Sequence, residues 1–417
     1  MSQVDHLKKN AASQHCEHFF KKNCGGCAYL HVPYKDQLAA KEQSITSMLQ
    51  NVLRALPTRK KPDLKTILKN IVPSPSPMHY RSSAKLTLHE DKSGRKVVGL
   101  FTQGTRHVVS TSGCPANSEH VNRIVDKLFT DVNKLELKFF DHSTTSFQKN
   151  CLKYLTVRTS PGTSAEESDQ SHAAVIVSHT GVDKQALIKW LEAAGLENLC
   201  VYESRLAKED GEAITGKETK HVCGPENFPY LLIDRNFQIS PASFFQANHS
   251  LAAELIACAT DFRVPGDILL DLYGGFGAYS FAAKDRFKEL IVVDGNTAAI
   301  KSANEHAKDQ GILSVKAIAD TCENFLEKKL SLETSRRVTH LIANPSRTGM
   351  SRDVLKHLTQ ETFPRLNELH YISCSPPTFA RDALRLVESG YALTEIVPFD
   401  MFPQTDHVEI AAKFMRT

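Results

Sequence analysis

The chain has 417 residues, 41% of them hydrophobic and 24% charged, with a net charge of +4; that balance describes a folded protein too long for one core, with two or three domains. No apolar run is long enough to cross a bilayer, and Met1–His6 contains no apolar signal core, so a cytoplasmic location with no membrane partner is expected. Residues 1–61 carry ten Lys/Arg against four Asp/Glu, which points either to a polyanion such as RNA or to a solvated basic helix.

Ten cysteines in that compartment are expected to be ligands, a nucleophile or buried fillers rather than disulfides. Cys16, Cys24 and Cys27 come first, as C-x7-C-x2-C with Gly25 and Gly26 inside the tight pair. Two cysteines so spaced can place both sulfurs on one metal centre, and Cys114, followed by Pro115, is the candidate fourth ligand. Iron–sulfur and zinc both suit four thiolates, and His15, His18 or His31 are possible substitutes for one of them. Residues 33–55 have helical periodicity (Tyr34, Leu38, Ile45, Met48, Leu49, Val52), ended by Pro57–Pro62, and Pro73–Pro77 is a second, extended break. Residues 84–88, 96–101 and 107–109 alternate as short strands, with a hairpin turn at Asp91–Gly94, and a helix is expected over 117–133. Residues 151–200 read as a small α/β unit: strands at 152–158 and 173–178, a polar loop at 160–171, and a helix at 183–194. Residues 203–225 read as a charged connection.

From about 240 onward, apolar strands at 268–272, 290–293, 315–319, 338–343 and 370–373 alternate with helices at 277–286, 297–310, 320–330, 351–360 and 377–389. That alternation predicts a parallel doubly wound sheet, with further strands near 391–397 and 408–414. Asp271-Leu-Tyr-Gly-Gly-Phe-Gly277 ends the first strand and opens a helix, and Asp294 ends the second. Glycines there let backbone approach a ligand, and a carboxylate on the next strand can accept from both hydroxyls of a ribose. The spacing is not the dinucleotide fingerprint, which favours S-adenosylmethionine over NAD. Cys374 follows the fifth strand, where a thiolate is exposed to a substrate, and Glu409 is a candidate base, held by His407 or Asp406. Arg381 is the candidate cation to activate the thiol. Such a pair suits C5 methylation of a pyrimidine: the thiolate adds to C6, C5 takes the methyl group, and a base removes the C5 proton.

Ser243-Phe-Phe-Gln246, Leu270-Asp-Leu-Tyr273, Tyr371-Ile-Ser-Cys374 with Thr378 and Ala380–Asp382, and Asp400-Met-Phe-Pro403 with His407-Val-Glu409 resemble the catalytic domain of the RNA (uracil-5-)-methyltransferases. The resemblance implies Cys374 as nucleophile, Glu409 as proton acceptor, and Gln246, Tyr273, Asp294 and Asn344 as contacts of S-adenosyl-L-methionine. It also implies that Cys16, Cys24, Cys27 and Cys114 hold a [4Fe–4S] cluster, as in the branch acting on 23S ribosomal RNA, in a compact form without an N-terminal β-barrel. Residues 78–85 resemble a family stretch ahead of the central domain, where Arg81 and Lys85 face either RNA phosphates or solvent.

The chain departs from the family at Gly274 or Gly275, where cysteine is usual, at Asn344-Pro-Ser-Arg347, where Asp-Pro-Pro-Arg is usual, at Ser375 in place of asparagine, and at Asp294 in place of glutamate. Nucleophile and base are retained. The expected architecture is α/β: an N-terminal iron–sulfur segment and helix (1–79), a smaller α/β central RNA-binding domain (80–239) that supplies Cys114, and a Rossmann-like catalytic domain (240–417). The expected function is formation of 5-methyluridine in 23S ribosomal RNA by a monomer, through a flipped-out base bonded to Cys374. The alternatives are a catalytically degenerate RNA-binding protein of the same fold and an RNA cytosine-5 methyltransferase.

Overall fold

The computed structural model describes residues 16–21, 24–54, 56, 61–160, 173–196 and 199–416. The polar loop expected at 160–171 lies, beyond Ser160, outside them, as does His15. Contacts divide the described residues into two compact units: those of Met1–Pro33, Ser76–Ala242 and Gln246–His249, and those of Tyr34–Pro75, Ser243–Phe245 and Ser250–Thr417. Helix α1 (Tyr34–Leu53) therefore groups with the C-terminal unit and not with the cysteine segment beside it in sequence.

In the first unit, β1 (Ser83–Glu90), β2 (Lys96–Phe101), β3 (Val108–Ser110), β4 (Leu152–Thr159), β5 (Ala173–His179), β6 (Cys200–Arg205) and β7 (Thr219–Cys223) form one sheet in the order β3-β2-β1-β4-β5-β6-β7. Only β5 and β6 pair in parallel. Helices α2 (Glu119–Leu128) and α3 (Lys184–Ala193) start on caps from Ser118 and Asp183. They bury Val121, Ile124, Leu128, Leu187 and Trp190 in a core with Leu86, Leu155 and Val175. The charged connection expected at 203–225 contains the end of β6 and all of β7. A hairpin follows, β8 (Phe228–Leu232) and β9 (Arg235–Ile239), whose turn residues Ile233 and Asp234 both have positive φ. That turn geometry usually selects Asn-Gly, so Ile-Asp gave no hairpin signal.

The second unit is built on β10 (Gly266–Leu272), β11 (Phe287–Asp294), β12 (Val315–Ala319), β13 (Val338–Ala343), β14 (Glu368–Ser373), β15 (Tyr391–Phe399) and β16 (Glu409–Arg416), in the order β12-β11-β10-β13-β14-β16-β15. The first five run parallel, and β16 alone runs against them, pairing antiparallel with β14 on one side and β15 on the other. Strands covered on both faces must be apolar throughout, which is why Leu269, Leu270, Leu290, Val292, Leu341 and Ile342 are fully or almost fully buried. The expected crossover helices are α5 (Ala278–Ala283), α6 (Thr297–Asp309), α8 (Arg352–Thr359) and α9 (Pro376–Glu388), with short helical turns Cys322–Asn324 and Phe325–Lys329 in the stretch expected at 320–330; α4 (His249–Ala259) and α7 (Leu332–Arg337) were not expected.

Helix α1 brings polar groups as well as Ile45 and Leu49 into this unit. Lys41 is buried and donates to Asp400 Oδ1 at 2.5 Å and to the Phe402 carbonyl at 3.1 Å. Gln37 and Gln404 exchange two bonds, Gln37 Nε2 to Gln404 Oε1 (2.8 Å) and Gln404 N to Gln37 Oε1 (3.0 Å). These contacts fix the loop that leads into β16.

Candidate active site

Cys374 and Glu409 meet because of strand register. Strands β14 and β16 pair antiparallel with Ser373 opposite Ile410. One residue further along that register sets Cys374 opposite Glu409, a separation at which side chains of paired strands touch. Cys374 also lies just ahead of α9, whose N-cap is Ser375 and whose first residue is Pro376. A thiol at a helix N-terminus is favoured as thiolate.

Burial pushes the Cys374 thiol up, the facing Glu409 adds to that, and Arg347, which hydrogen-bonds it, pulls it down. Burial also pushes Glu409 up to about 8, with Arg347 opposing. Arg347 is thus the cation shared by both groups. Arg381, expected in that role, is otherwise engaged: it donates from Nε to Asp382 Oδ1 (2.7 Å) and from Nη2 to the carbonyls of Thr348 (3.0 Å) and Met350 (3.2 Å). Asp382, fully buried, also accepts from Tyr371 Oη (2.8 Å) and Met350 N (2.9 Å). Asp382 therefore ties β14, α9 and the loop after β13 together, and that loop carries Arg347. His407, expected to hold Glu409, is half exposed and pairs with Asp406 at 3.6 Å.

The glycine turn is built as a close approach. A Cβ on Gly274 would sit 2.7 Å from Val292 Cγ1 and 2.8 Å from Asp271 Cγ, so the family's cysteine has no room there. Gly275 has open space but φ of +58°. Its N–H donates to Asp294 Oδ2 (2.9 Å), and Asn296 N donates to Asp294 Oδ1 (2.7 Å). The Asp294 carboxylate thus joins the loops after β10 and β11. Each of its oxygens keeps acceptor capacity for a ribose. Tyr273 has φ of +59° and donates its backbone N–H to Cys322 Sγ (3.3 Å), so Cys322 braces the turn. Asn344 Nδ2 donates to Tyr279 Oη at 3.3 Å. Asp271 is fully buried beneath the turn, accepts from Ser280 Oγ (2.8 Å), and is pushed up to about 7 by burial. Sequence reasoning passed over Asp271 as a strand residue, although an acid inside an apolar strand was the available signal. Gln246 is buried in the first unit, where its carbonyl accepts from Ser82 Oγ at 3.4 Å.

Within the first unit, Cys16, Cys24, Cys27 and Cys114 line one cavity of about 170 Å³ together with Arg81. Burial raises the Cys24 and Cys27 thiols, the latter to about 12, and Arg81 opposes it for both. Among the described residues, no three His, Cys, Asp or Glu side chains are gathered closely enough to share a single metal ion.

Residues 232–416 match the tRNA (Uracil-5-)-methyltransferase family model. That match covers the β9 hairpin strand and the C-terminal part of the second unit, less than half of the chain. Similar proteins span almost the whole chain. An uncharacterized RNA methyltransferase of Protochlamydia amoebophila is 28% identical over 98% of this chain and 92% of its own. One of Thermosynechococcus vestitus is 29% identical over 93% and 81%. The crystal structure of Pyrococcus abyssi tRNA (uracil-54, C5)-methyltransferase, in complex with S-adenosyl-L-homocysteine, superposes with a TM-score of 0.69 at 22% identity, covering 94% of this chain and 86% of that one. The fold is accordingly α/β, a Rossmann-like methyltransferase fold in the second unit and a mixed sheet in the first. Among the described residues no helix is long and apolar enough to cross a membrane.

Proposed function

We propose that the protein is an S-adenosylmethionine-dependent RNA methyltransferase that forms 5-methyluridine through a covalent bond between Cys374 and C6 of the target uracil. The observation that carries this is the placement of Cys374 opposite Glu409 at the end of β14 and β16, with Arg347 facing both. Arg347 and the N-terminus of α9 favour the thiolate. Its electron pair adds to C6, and the C5=C6 pair moves toward O4, leaving C5 nucleophilic. S-adenosylmethionine supplies an electrophilic methyl group, and Tyr273, Asp294 and Asn344 would hold it. Glu409 then takes the C5 proton, the C5=C6 bond re-forms, and the thiolate leaves. A carboxyl that titrates near 8 is basic enough to accept that proton and close enough to the working pH to release it.

The substrate is proposed to be 23S ribosomal RNA, and a [4Fe–4S] cluster is proposed at Cys16, Cys24, Cys27 and Cys114. Support comes from the convergence of these four thiols on one cavity, the feature that the sequence resemblance ties to the ribosomal branch. The cluster would staple the N-terminal segment to the loop carrying Cys114, and no step of the methyl transfer passes through it.

The test is incubation with 5-fluorouridine-substituted RNA and S-adenosylmethionine. A denaturation-stable adduct is expected, and it is lost in Cys374→Ala. No adduct with any RNA supports a non-catalytic RNA binder, and 5-methylcytidine on nucleoside digestion a cytosine enzyme. Parallel 23S ribosomal and transfer RNA transcripts decide the substrate class. Anaerobic purification with iron and sulfide assays decides the cluster: colourless, zinc-loaded protein defeats it.

A further inference from the structure

Beside the loop that carries Arg347, the second unit has a pocket of about 420 Å³, within the usual range for ligand sites. Arg352, Arg381 and Arg385 line it with Ser346 and Thr348, against one carboxylate, Glu323. Arg352 opens α8 and Arg385 lies on α9, so two helices converge on the pocket with their cations. Both side chains are exposed, and among the described residues neither is in an ion pair. Arg381 is held rigidly by Asp382 and by the carbonyls of Thr348 and Met350, and its Nη1 donates to none of the described residues. Structural arginines consume their donors on protein acceptors; here the donors remain available at a concave surface. The N-terminus of α8, capped by Ser351, adds a partial positive charge on the same side.

We propose that this pocket binds a phosphodiester of the substrate RNA, next to the nucleotide presented to Cys374. The inference rests on the RNA methyltransferase reading. A guanidinium fork matches two phosphate oxygens at once, and Ser346 and Thr348, whose hydroxyls lie 2.9 Å apart, add donors of the same kind. The pocket and the nucleophile share one loop: Ser346 and Thr348 flank Arg347, and Thr378 Oγ1 on α9 bonds the Arg347 carbonyl at 3.2 Å. A phosphate held here would therefore fix the strand close to the flipped base. The contact carries no base identity, so it sets register and affinity rather than sequence preference.

The experiment compares full-length wild type, Arg352→Ala/Arg385→Ala and Arg352→Lys/Arg385→Lys for equilibrium binding of a ribosomal RNA fragment across a salt series. Thermal melts check folding, and binding of S-adenosylmethionine is measured separately. The alanine pair is expected to weaken RNA binding about tenfold or more near 0.1 M salt and to lower the slope of log Kd against log salt by about one to two. The lysine pair keeps the slope but not the full affinity. Lys301→Ala/Lys308→Ala, which removes two charges from α6, leaves both unchanged. Unchanged affinity and slope in the alanine pair overturn the proposal. So does a loss confined to S-adenosylmethionine, or a wild type that binds free nucleotide monophosphate but no RNA. Binding is read without turnover, so a wild type that binds RNA and never methylates it defeats the methyltransferase reading and still tests the pocket.

Discussion

Replacing Glu409 by glutamine tests the electrostatics of the site without changing its shape. Glu409 is buried, and its carboxyl has moved from an ordinary 4.5 to about 8. A native group with a raised pKa binds its proton more tightly than the unfolded chain does. Its contribution to stability is fully present below pH 4.5 and is lost as pH rises through about 8. Ionising such a group costs up to about 5 kcal/mol, which relaxation and water entry reduce to a few kcal/mol. Glutamine keeps the volume and never ionises. Wild type and Glu409→Gln should therefore melt within about two degrees of each other at pH 5. The variant should hold its melting temperature between pH 7 and 9, while wild type falls by several degrees more, at about 2–4 °C per kcal/mol. Differential scanning calorimetry in a pH series reads this directly. Parallel curves for the two proteins would refute a buried, proton-holding carboxyl at Glu409, and with it the assignment of a near-neutral base.

Arg347→Ala removes the cation that lowers the Cys374 thiol; single-turnover methyl transfer near pH 7 should fall about tenfold to a hundredfold, with partial recovery at higher pH and in Arg347→Lys. Lys41→Met leaves Asp400 charged and buried, which should cost about 3–5 kcal/mol in denaturant titration, and Lys41→Met/Asp400→Leu should recover most of it. Gly349→Ala places a Cβ 2.6 Å from Asp382 Oδ2 and 2.7 Å from Arg381 Nη2 at a φ of +76°; a loss of about 2 kcal/mol, with slower methyl transfer from displacement of Arg347, is expected.

The parallel sheet was legible because strands covered on both faces leave continuous apolar runs, and β12 and β13 fall on the residues expected. The ends of such strands are equally legible, so Cys374, Asp294 and the glycine turn could be read without coordinates. Arg347 could not be assigned its place, because the path of its loop depends on Asp382, whose partners Tyr371 and Met350 are remote in sequence. Arg381 looked available as an isolated cation and is consumed by that same hub. Helix α1 was legible from its periodicity and was assigned to the N-terminal segment by position, but besides Ile45 and Leu49 it is tied to the second unit by Lys41 and Gln37, two polar residues that periodicity counts as surface. Helix α4 gave no usable pattern, since His249–Ala259 is apolar nearly all round.

The distance between nucleophile and base is set by a hydrogen-bonded ladder and not by the chain between them. The turn at Ser389–Gly390 between α9 and β15 can lengthen or change composition without moving Cys374 from its place across from Glu409, provided β14 and β16 keep their alignment. A single-residue slip of that alignment would turn one of the two toward the opposite side of the sheet. Insertions are therefore tolerable at that turn, whereas one extra residue within 409–416 would part the two groups and also turn buried side chains such as Ile410 and Phe414 to the other face of the sheet.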